Sequence, residues 1–374
     1  MTRRAPGPDD PARSSAAEQF LAVAAAAARR CGVTRLADIT GLDRIGLPVW
    51  QAVRPAGRAL SVHQGKGAND RDAKIGALCE AIESHCAENA PADGPLCRFA
   101  DLPAAERASE LADYARRRDR PPPDEPVRWC RATDLLGGGD FWLPHDLVSL
   151  DFSGDRKSAF DRSSAGLGLG PDIAAATEVA LREIVERDAV GAWQRRPFDE
   201  RMRDSVDLGS IGYRWFGEWR RRFDALGIDV AVFAVEAAVP LPVAICWIGG
   251  AEAFGPGYRS FAGSACHPDP ERALFKALAE AVQSRLTFVA GVRDDIMPEH
   301  HAARGSPVPA AARAARRAWA GDVSVERTAA LVARAGYDRI AVKRLDTGLE
   351  GLKVVKAFVP GLGSLKRTRR EATR

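Results

Sequence analysis

Three stretches of the chain carry apolar residues three and four positions apart, each behind a short run of small and polar residues. They are GKGANDRDAKIGALCEAIE (65–83), GLGPDIAAATEVALREIVE (168–186) and ACHPDPERALFKALAEAVQ (265–283). The spacing predicts an amphipathic helix in each. Asn69, Asp172 and Asp269 are suited to N-caps, because their side-chain oxygens can accept the orphan N–H groups of a first helical turn. Pro270 is well placed as a first helical residue. The copies lie about 100 residues apart, so the chain reads as a repeated loop-helix unit.

Between and around these copies the pattern changes. A helix is expected at about 16–31 after a polar, Pro-rich N-terminal tail (1–15) that reads as disordered. ELADYARRRDRPPPDEPVRW (110–129) reads as a charged helix ending in a Pro-rich connector, and the Arg/Ala-rich 299–322 stretch as an exposed excursion. VAVFAVEAAVPLPVAICWIGG (230–250) is broken by Glu236, Pro240 and Pro242. Two buried strands joined by a Pro-rich turn fit it better than a membrane span. A helix at 326–335 followed by RIAVKRL (339–345) and KVVKAFVPGL (353–362) reads as a βα-type close of an α/β domain. The expected organisation is one domain over 16–362, with a basic C-terminal tail at 363–374.

Composition narrows the function. Of 374 residues, 46% are hydrophobic and 28% charged, ordinary values that allow a sizeable core. The net charge of +4 is small for this length, and no helix carries a Lys/Arg stripe interleaved with aromatics, so nucleic acid is not the expected partner. Nor is a membrane. Cysteines 31, 79, 86, 97, 130, 246 and 266 form no CxxC and no zinc-ligand pairing with histidine. Without a signal peptide they read as reduced thiols of a cytoplasmic protein.

The chemistry lies in the carboxylates of the repeat. Eleven residues after each N-cap stand Glu80, Glu183 and Glu280, and three further on Glu83, Glu186 and Gln283. Three residues apart is about 60° around a helix, so both members of a pair look the same way. One such pair is ordinarily a solvated face; three in one phase point to a shared polar site. The Gly-rich loops, with Lys66 in the first, suit an anion at the helix N-termini, although they are not a P-loop. Eleven residues is about 16 Å of rise, so a helix's own glutamates cannot meet an anion at its N-terminus. They could meet a metal whose phosphate sits on a neighbouring copy's loop. Carboxylates tolerate a polyphosphate only with a hard cation between, so Glu80, Glu83, Glu183 and Glu186 read as a Mg²⁺-nucleotide cradle, with Arg285 or Arg187 free to neutralise phosphate. A di-iron site would need Glu-x-x-His pairs, which are missing; there is no GxSxG and no cysteine in a recognisable catalytic context.

These blocks resemble the YcaO superfamily. The resemblance runs from GVTRLADITGLDRIGLPVWQAVRP (32–55) through the three copies, including SSAGLGLG (163–170) and AVQSRLTFVAGVRDD (281–295), to FVPGL (358–362). It implies a YcaO-type α/β (α+β) fold, with the loop-helix units packed on β-sheets around a central nucleotide site. It further implies ATP and Mg²⁺ as cofactors, with Glu80, Glu83, Glu183 and Glu186 on the metal and Lys66, Glu80, Glu183, Gln283 and Arg285 on the nucleotide. The implied activity is ATP-dependent activation of a peptide-backbone amide, leading to a thioamide, azoline or amidine. No catalytic base is identified. Many members have Asn and Glu where this chain has Pro171 and Ala175, which removes any contact those side chains make. Azoline-forming members often end in a PxPxP tail, and this chain ends in GSLKRTRREATR.

The 32–55 and 281–295 forms look most like the branch encoded beside TfuA-type partners, which makes thioamides. The expected partners are therefore a peptide or protein substrate and a separate TfuA-like protein, since no leader-binding domain is fused at the N-terminus; a homodimer is left open. The alternatives are an azoline-forming cyclodehydratase and a non-catalytic nucleotide-binding scaffold, the latter prompted by Pro171 and Ala175. His85 reads as a packed or surface residue and Trp193, Trp215 and Trp219 as core. His267 suits loop structure or substrate contact, and RDD (293–295) suits a turn.

Overall fold

The computed structural model describes residues 11–114, 125–154, 158, 160–250, 259–297, 299, 307–314, 316–345 and 348–362. In chain order the elements are α1 (Pro11–Arg30), β1 (Arg35–Asp38), β2 (Val49–Val53), β3 (Val62–Lys66), α2 (Asp70–Glu88), β4 (Leu96–Cys97) and β5 (Val127–Asp134). Then come β6 (Asp140–Pro144), α3 (His145–Val148), β7 (Leu167–Gly170), α4 (Ile173–Gln194), α5 (Phe198–Met202) and α6 (Arg214–Ala225). The remainder comprises β8 (Ile228–Val235), β9 (Val243–Gly250), β10 (Phe261–Cys266), α7 (Pro270–Ala290), α8 (Thr328–Arg334), β11 (Ala341–Arg344) and β12 (Lys353–Phe358).

The three sequence copies are three strand-helix units: β3 with α2, β7 with α4, and β10 with α7. Each helix starts where its cap chemistry dictates. Asn69 accepts from Asp72 N–H, Asp172 from Ala175 N–H and Asp269 from Glu271 N–H, with Pro270 in the first turn of α7. Each strand is the last of its own sheet, in the orders β1-β2-β3, β8-β9-β10 and β4-β5-β11-β12-β7, with β6 on β5. The units close in a ring, because α2 also packs on β7, α4 on β10 and α7 on β3.

Glycine makes the close strand-helix contact possible within each unit. A Cβ on Gly65 would lie 2.1 Å from Ala73 O and Ala77 N, one on Gly168 2.2 Å from Ala176 O, and one on Gly263 2.2 Å from Ala281 N. The glycines expected to form anion loops are thus strand residues that let backbone meet backbone. Lys66 likewise ends a strand rather than sitting in a loop.

The Pro-rich turn at 240–242 joins β8 to β9, which pair antiparallel from Ile228↔Gly250 to Val235↔Val243, as the sequence predicts. The C-terminal close differs. After α8, β11 and β12 form an antiparallel hairpin, and β12 pairs antiparallel with β7. All paired strands in the described residues are antiparallel, so the arrangement is α+β rather than a parallel α/β sheet.

Helix α1 begins at Pro11, inside the tail expected to be disordered, with proline already holding a helical φ at its start. Residues 110–114 hold a 3-10 turn (Leu111–Asp113) instead of an α-helix. Tyr114 explains the break: it is buried, donates to Trp142 O at 2.7 Å and stacks on Phe358. The expected connector at 115–124 and the tail at 363–374 lie outside the described residues, as does much of the 299–322 excursion. Among the described residues all seven cysteines are free thiols, and no helix is long and apolar enough to cross a membrane.

Candidate active site

The free edge of each repeat strand is capped by a carboxylate of its own helix. Glu80 accepts from Gln64 N–H at 3.3 Å and Glu183 from Gly166 N–H at 3.1 Å; Glu280 accepts from the backbone N–H of Ser264. The second position of each pair reaches around the ring. Glu83 accepts from the backbone N–H of Leu169, and Glu186 from Ser264 Oγ at 2.6 Å. In the third unit Gln283 takes this position, and its Oε1 is buried with no hydrogen-bond partner among the described residues. Lys66 Nζ closes the ring by donating to Glu280 Oε2 at 2.9 Å. The phase of the sequence repeat therefore places Glu80, Glu83, Glu183, Glu186, Glu280, Gln283 and Lys66 around one centre.

At that centre four of the five carboxylates are pushed toward their neutral forms. Burial raises Glu80, although Lys66 and the Gln64 N–H oppose it. Glu83 rises well above the usual carboxylate range, through burial and then the neighbouring charges of Glu183 and Glu80. Burial also raises Glu183 against Arg187 and Lys356, and it raises Glu186 with the help of Glu280. Glu280 moves the other way: burial resists its ionisation, but the Lys66 ammonium overcomes that and holds it low. Desolvated, mutually repelling carboxylates beside cationic side chains are a site that a cation would complete.

The residues present fit Mg²⁺ with a nucleotide. Among the described residues no group of three or more His, Cys, Asp or Glu side chains is close enough to enclose a metal on its own. Mg²⁺ does not require that: it takes one or two carboxylates and completes its shell with phosphate oxygens and water. Its place here would be among Glu80, Glu83, Glu183 and Glu186.

Cations line the same centre. Arg187 lies 3.4 Å from Glu183. Arg182 stands one turn before Glu186 and Lys276 one turn before Glu280. Lys276, at the exposed rim, is lowered by the protein packed around it and then by the charges of Lys66 and Arg182, so three cations crowd one rim. Arg293 adds a charge near Glu80 while pairing with Asp295. Sequence reading missed Arg182, Lys276, Arg293 and Lys356 in these roles. The helical phase of Arg182 and Lys276 relative to Glu186 and Glu280 was the signal available for two of them.

Arg285 corrects an expectation. Its guanidinium is not left to neutralise phosphate: it pairs with Asp43 at 2.5 Å and lies by the Phe261 ring. The reason is helical phase, since Arg285 is about 200° around α7 from Gln283. Pro171 and Ala175 flank the capped turn of α4, where Asp172 accepts from Ala175 N–H at 2.8 Å. His267 is a loop-structure residue, its Nδ1 accepting from Asp269 N–H at 2.9 Å. Arg293 and Asp294 form the predicted turn, with Asp294 also accepting from Ser61 Oγ at 2.9 Å. Trp193 is core; Trp215, Trp219 and His85 are half-buried.

A family model described as YcaO cyclodehydratase, ATP- and Mg²⁺-binding, matches residues 64–363, which include every one of these side chains except Asp43 and Ser61. The chain belongs to the YcaO family. A protein from the tfuA 3′ region of Rhizobium leguminosarum bv. trifolii is 36% identical over 287 residues, covering 72% of this chain and 66% of that protein. The chain thus spans just under two thirds of that relative's length. YcaO from Methanopyrus kandleri, solved with AMPPCP and Mg²⁺, superposes with a TM-score of 0.64 at 20% identity, covering 92% of this chain and 90% of that one. A chain of the E. coli microcin synthetase McbBCD complex also gives 0.64, at 15% identity, covering 87% and 88%. These two likenesses establish the YcaO fold, and the ring of strand-helix units is its centre here.

Proposed function

We propose that this YcaO protein activates a peptide-backbone amide for replacement of its oxygen by sulfur, giving a thioamide, with a TfuA-like protein as partner. The observation that carries the activation step is the ring of mutually close carboxylates, from half-buried Glu83, Glu183 and Glu186 to exposed Glu80, faced by Lys66, Arg187, Arg182 and Lys276. The sulfur chemistry and the partner are supported by the relative from the tfuA region.

In this reading Glu80, Glu83, Glu183 and Glu186 hold Mg²⁺ and, through it, the phosphates of ATP. Bound Mg²⁺ and ATP supply the phosphoryl group that turns an amide oxygen into a leaving group. The protein's own work is positional and electrostatic. The backbone N–H groups of Gln64, Gly166 and Leu169 fix three of the carboxylates, and Ser264 Oγ fixes the fourth. The basic rim takes up negative charge as it develops, and Lys66 keeps Glu280 ionised without adding repulsion. Hydrosulfide would add through a sulfur lone pair to the amide carbon, the carbonyl π pair moving to oxygen. With that oxygen phosphorylated and ADP left behind, the C–O bond would break with release of inorganic phosphate, and the sulfur would give up its proton as the C=S bond forms.

The description of the family as cyclodehydratase favours a second reading, in which a Cys, Ser or Thr side chain of the substrate adds to the amide and an azoline results. Co-expression with a TfuA-like protein and a candidate precursor peptide, followed by mass spectrometry, separates the two. An exchange of oxygen for sulfur supports the thioamide, loss of one water supports the azoline, and an unmodified peptide with no phosphate release contradicts both.

A further inference from the structure

The turn leading into β7 is held by a lysine that the proposed chemistry does not use. Lys356 is 5% exposed, between the apolar Val355 and Ala357 of β12. Its Nζ donates to the carbonyls of Ser163 and Ala165 at 2.5 and 2.7 Å. Among the described residues it makes no ion pair, so an amino group is buried on two backbone carbonyls. Burying an ammonium is costly unless something compensates it, and an apolar residue would serve β12 without that cost.

What the lysine secures is the segment that ends at Gly166. Gly166 sits at φ 83°, and a Cβ there would lie 2.5 Å from Ala357 O. Its carbonyl accepts from Ala357 N–H at 2.8 Å, and its own N–H is given to Glu183 Oε2 at 3.1 Å. The segment is therefore tied to β12 at Ser163, Ala165 and Gly166, and the donor left over points at a carboxylate. The Lys356 charge also favours the ionised form of Glu183.

We propose that Lys356 is a positioning residue of the site: by tethering residues 163–165 to β12 it aims the Gly166 N–H and thereby fixes the Glu183 carboxylate. The inference rests on the reading of Glu183 as a Mg²⁺-nucleotide residue. It is tested by calorimetric titration of the full chain with AMPPCP in Mg²⁺, alongside the melting temperature, for wild type, Glu183→Gln, Lys356→Met, Lys356→Arg and Val359→Ala. Val359 is a buried core residue one position beyond β12 whose apolar side chain makes none of these hydrogen bonds, and it serves as a packing control.

Lys356→Met should weaken AMPPCP binding by about 10-fold or more, as loss of an outer-shell partner does at metal sites. Lys356→Arg, which keeps a cation and donors, should recover most of it. Val359→Ala should lower the melting temperature with affinity unchanged. If Lys356→Met is not recovered folded, Lys356→Gln, which keeps one donor, is held to the same criterion. A wild type that does not bind AMPPCP with Mg²⁺ rejects the reading of Glu183. A wild type that binds and is weakened by Glu183→Gln, but is indifferent to the neutral variant of Lys356, rejects the positioning role. So does a loss of affinity that Val359→Ala matches at equal loss of melting temperature.

Discussion

Lys66, at the end of β3 in the first repeat unit, donates to Glu280 on α7 of the third unit at 2.9 Å. The bond joins residues 214 apart in sequence and closes a ring in which each helix also packs on the next unit's strand. It settles the charge of one acid, and among the described residues the four other glutamates have no equivalent lysine hydrogen bond. Replacing Lys66 by Met strands Glu280 beside Glu186. The cost of losing a charged hydrogen-bond partner is about 1.5–3 kcal/mol. The expected outcome is a KM for ATP raised by about tenfold or more, read in a steady-state assay.

The raised carboxylates make stability depend on pH in a definite direction. Glu80, Glu83, Glu183 and Glu186 all have folded-state values above the ordinary 4.5. Their protonated forms favour the fold, so this contribution is complete below that value and is lost as pH rises through the raised ones. In EDTA the melting temperature should fall as pH rises above about 4.5 and through about 7, where Glu186 titrates, and Mg²⁺ with AMPPCP should flatten the slope. Differential scanning calorimetry in both buffers reads this. Mg²⁺ binding should also release protons, detectable as a buffer-dependent enthalpy.

The Arg54–Glu88 pair predicts the opposite sign. Both side chains are almost fully buried, 3% and 1% exposed, with Arg54 Nη2 on Glu88 Oε1 at 2.5 Å. Burial works against ionised Glu88, but Arg54 outweighs it and the carboxyl is held below its ordinary value. That stability is present at neutral pH and lost as pH falls through the lowered value. Glu88→Gln should cost about 3–5 kcal/mol in urea denaturation, because it leaves a buried guanidinium uncompensated. AMPPCP affinity of the folded fraction should not change.

Alanine at the three strand glycines tests the repeat itself. At Gly65, Gly168 and Gly263 the added Cβ meets helix backbone at 2.1–2.2 Å. Each substitution should destabilise the fold by about 1–3 kcal/mol or more, measured by chemical denaturation. Gly212, with nothing within 4 Å of an added Cβ, is the control and should tolerate alanine.

Much of this site was legible in the sequence because its signals are local. Caps at Asn69, Asp172 and Asp269 follow from side-chain chemistry, and the phase of Glu80/Glu83 and Glu183/Glu186 from the helical period. What joins the units is not local. Nothing near Gln64 or Gly166 in sequence shows that their N–H groups are given to carboxylates 16 and 17 residues away. The glycines were read as phosphate loops because close strand-helix packing and anion binding ask for the same residue. Arg285 was expected on the nucleotide from the resemblance, and nothing near it in sequence shows that its guanidinium is given to Asp43, 242 residues away. Lys356 could not be picked out from the alternation of KVVKAF, where a lysine among valines looks like a solvent-facing strand residue.

The central claim is that Glu80, Glu83, Glu183 and Glu186 hold a nucleotide through Mg²⁺, and calorimetric titration of the full chain with AMPPCP tests it most directly. In Mg²⁺ the wild type should bind one equivalent, binding should vanish in EDTA, and Glu183→Gln should weaken it by about tenfold or more. Equal affinity with and without Mg²⁺, or a Glu183→Gln chain that binds as the wild type does, would contradict the account.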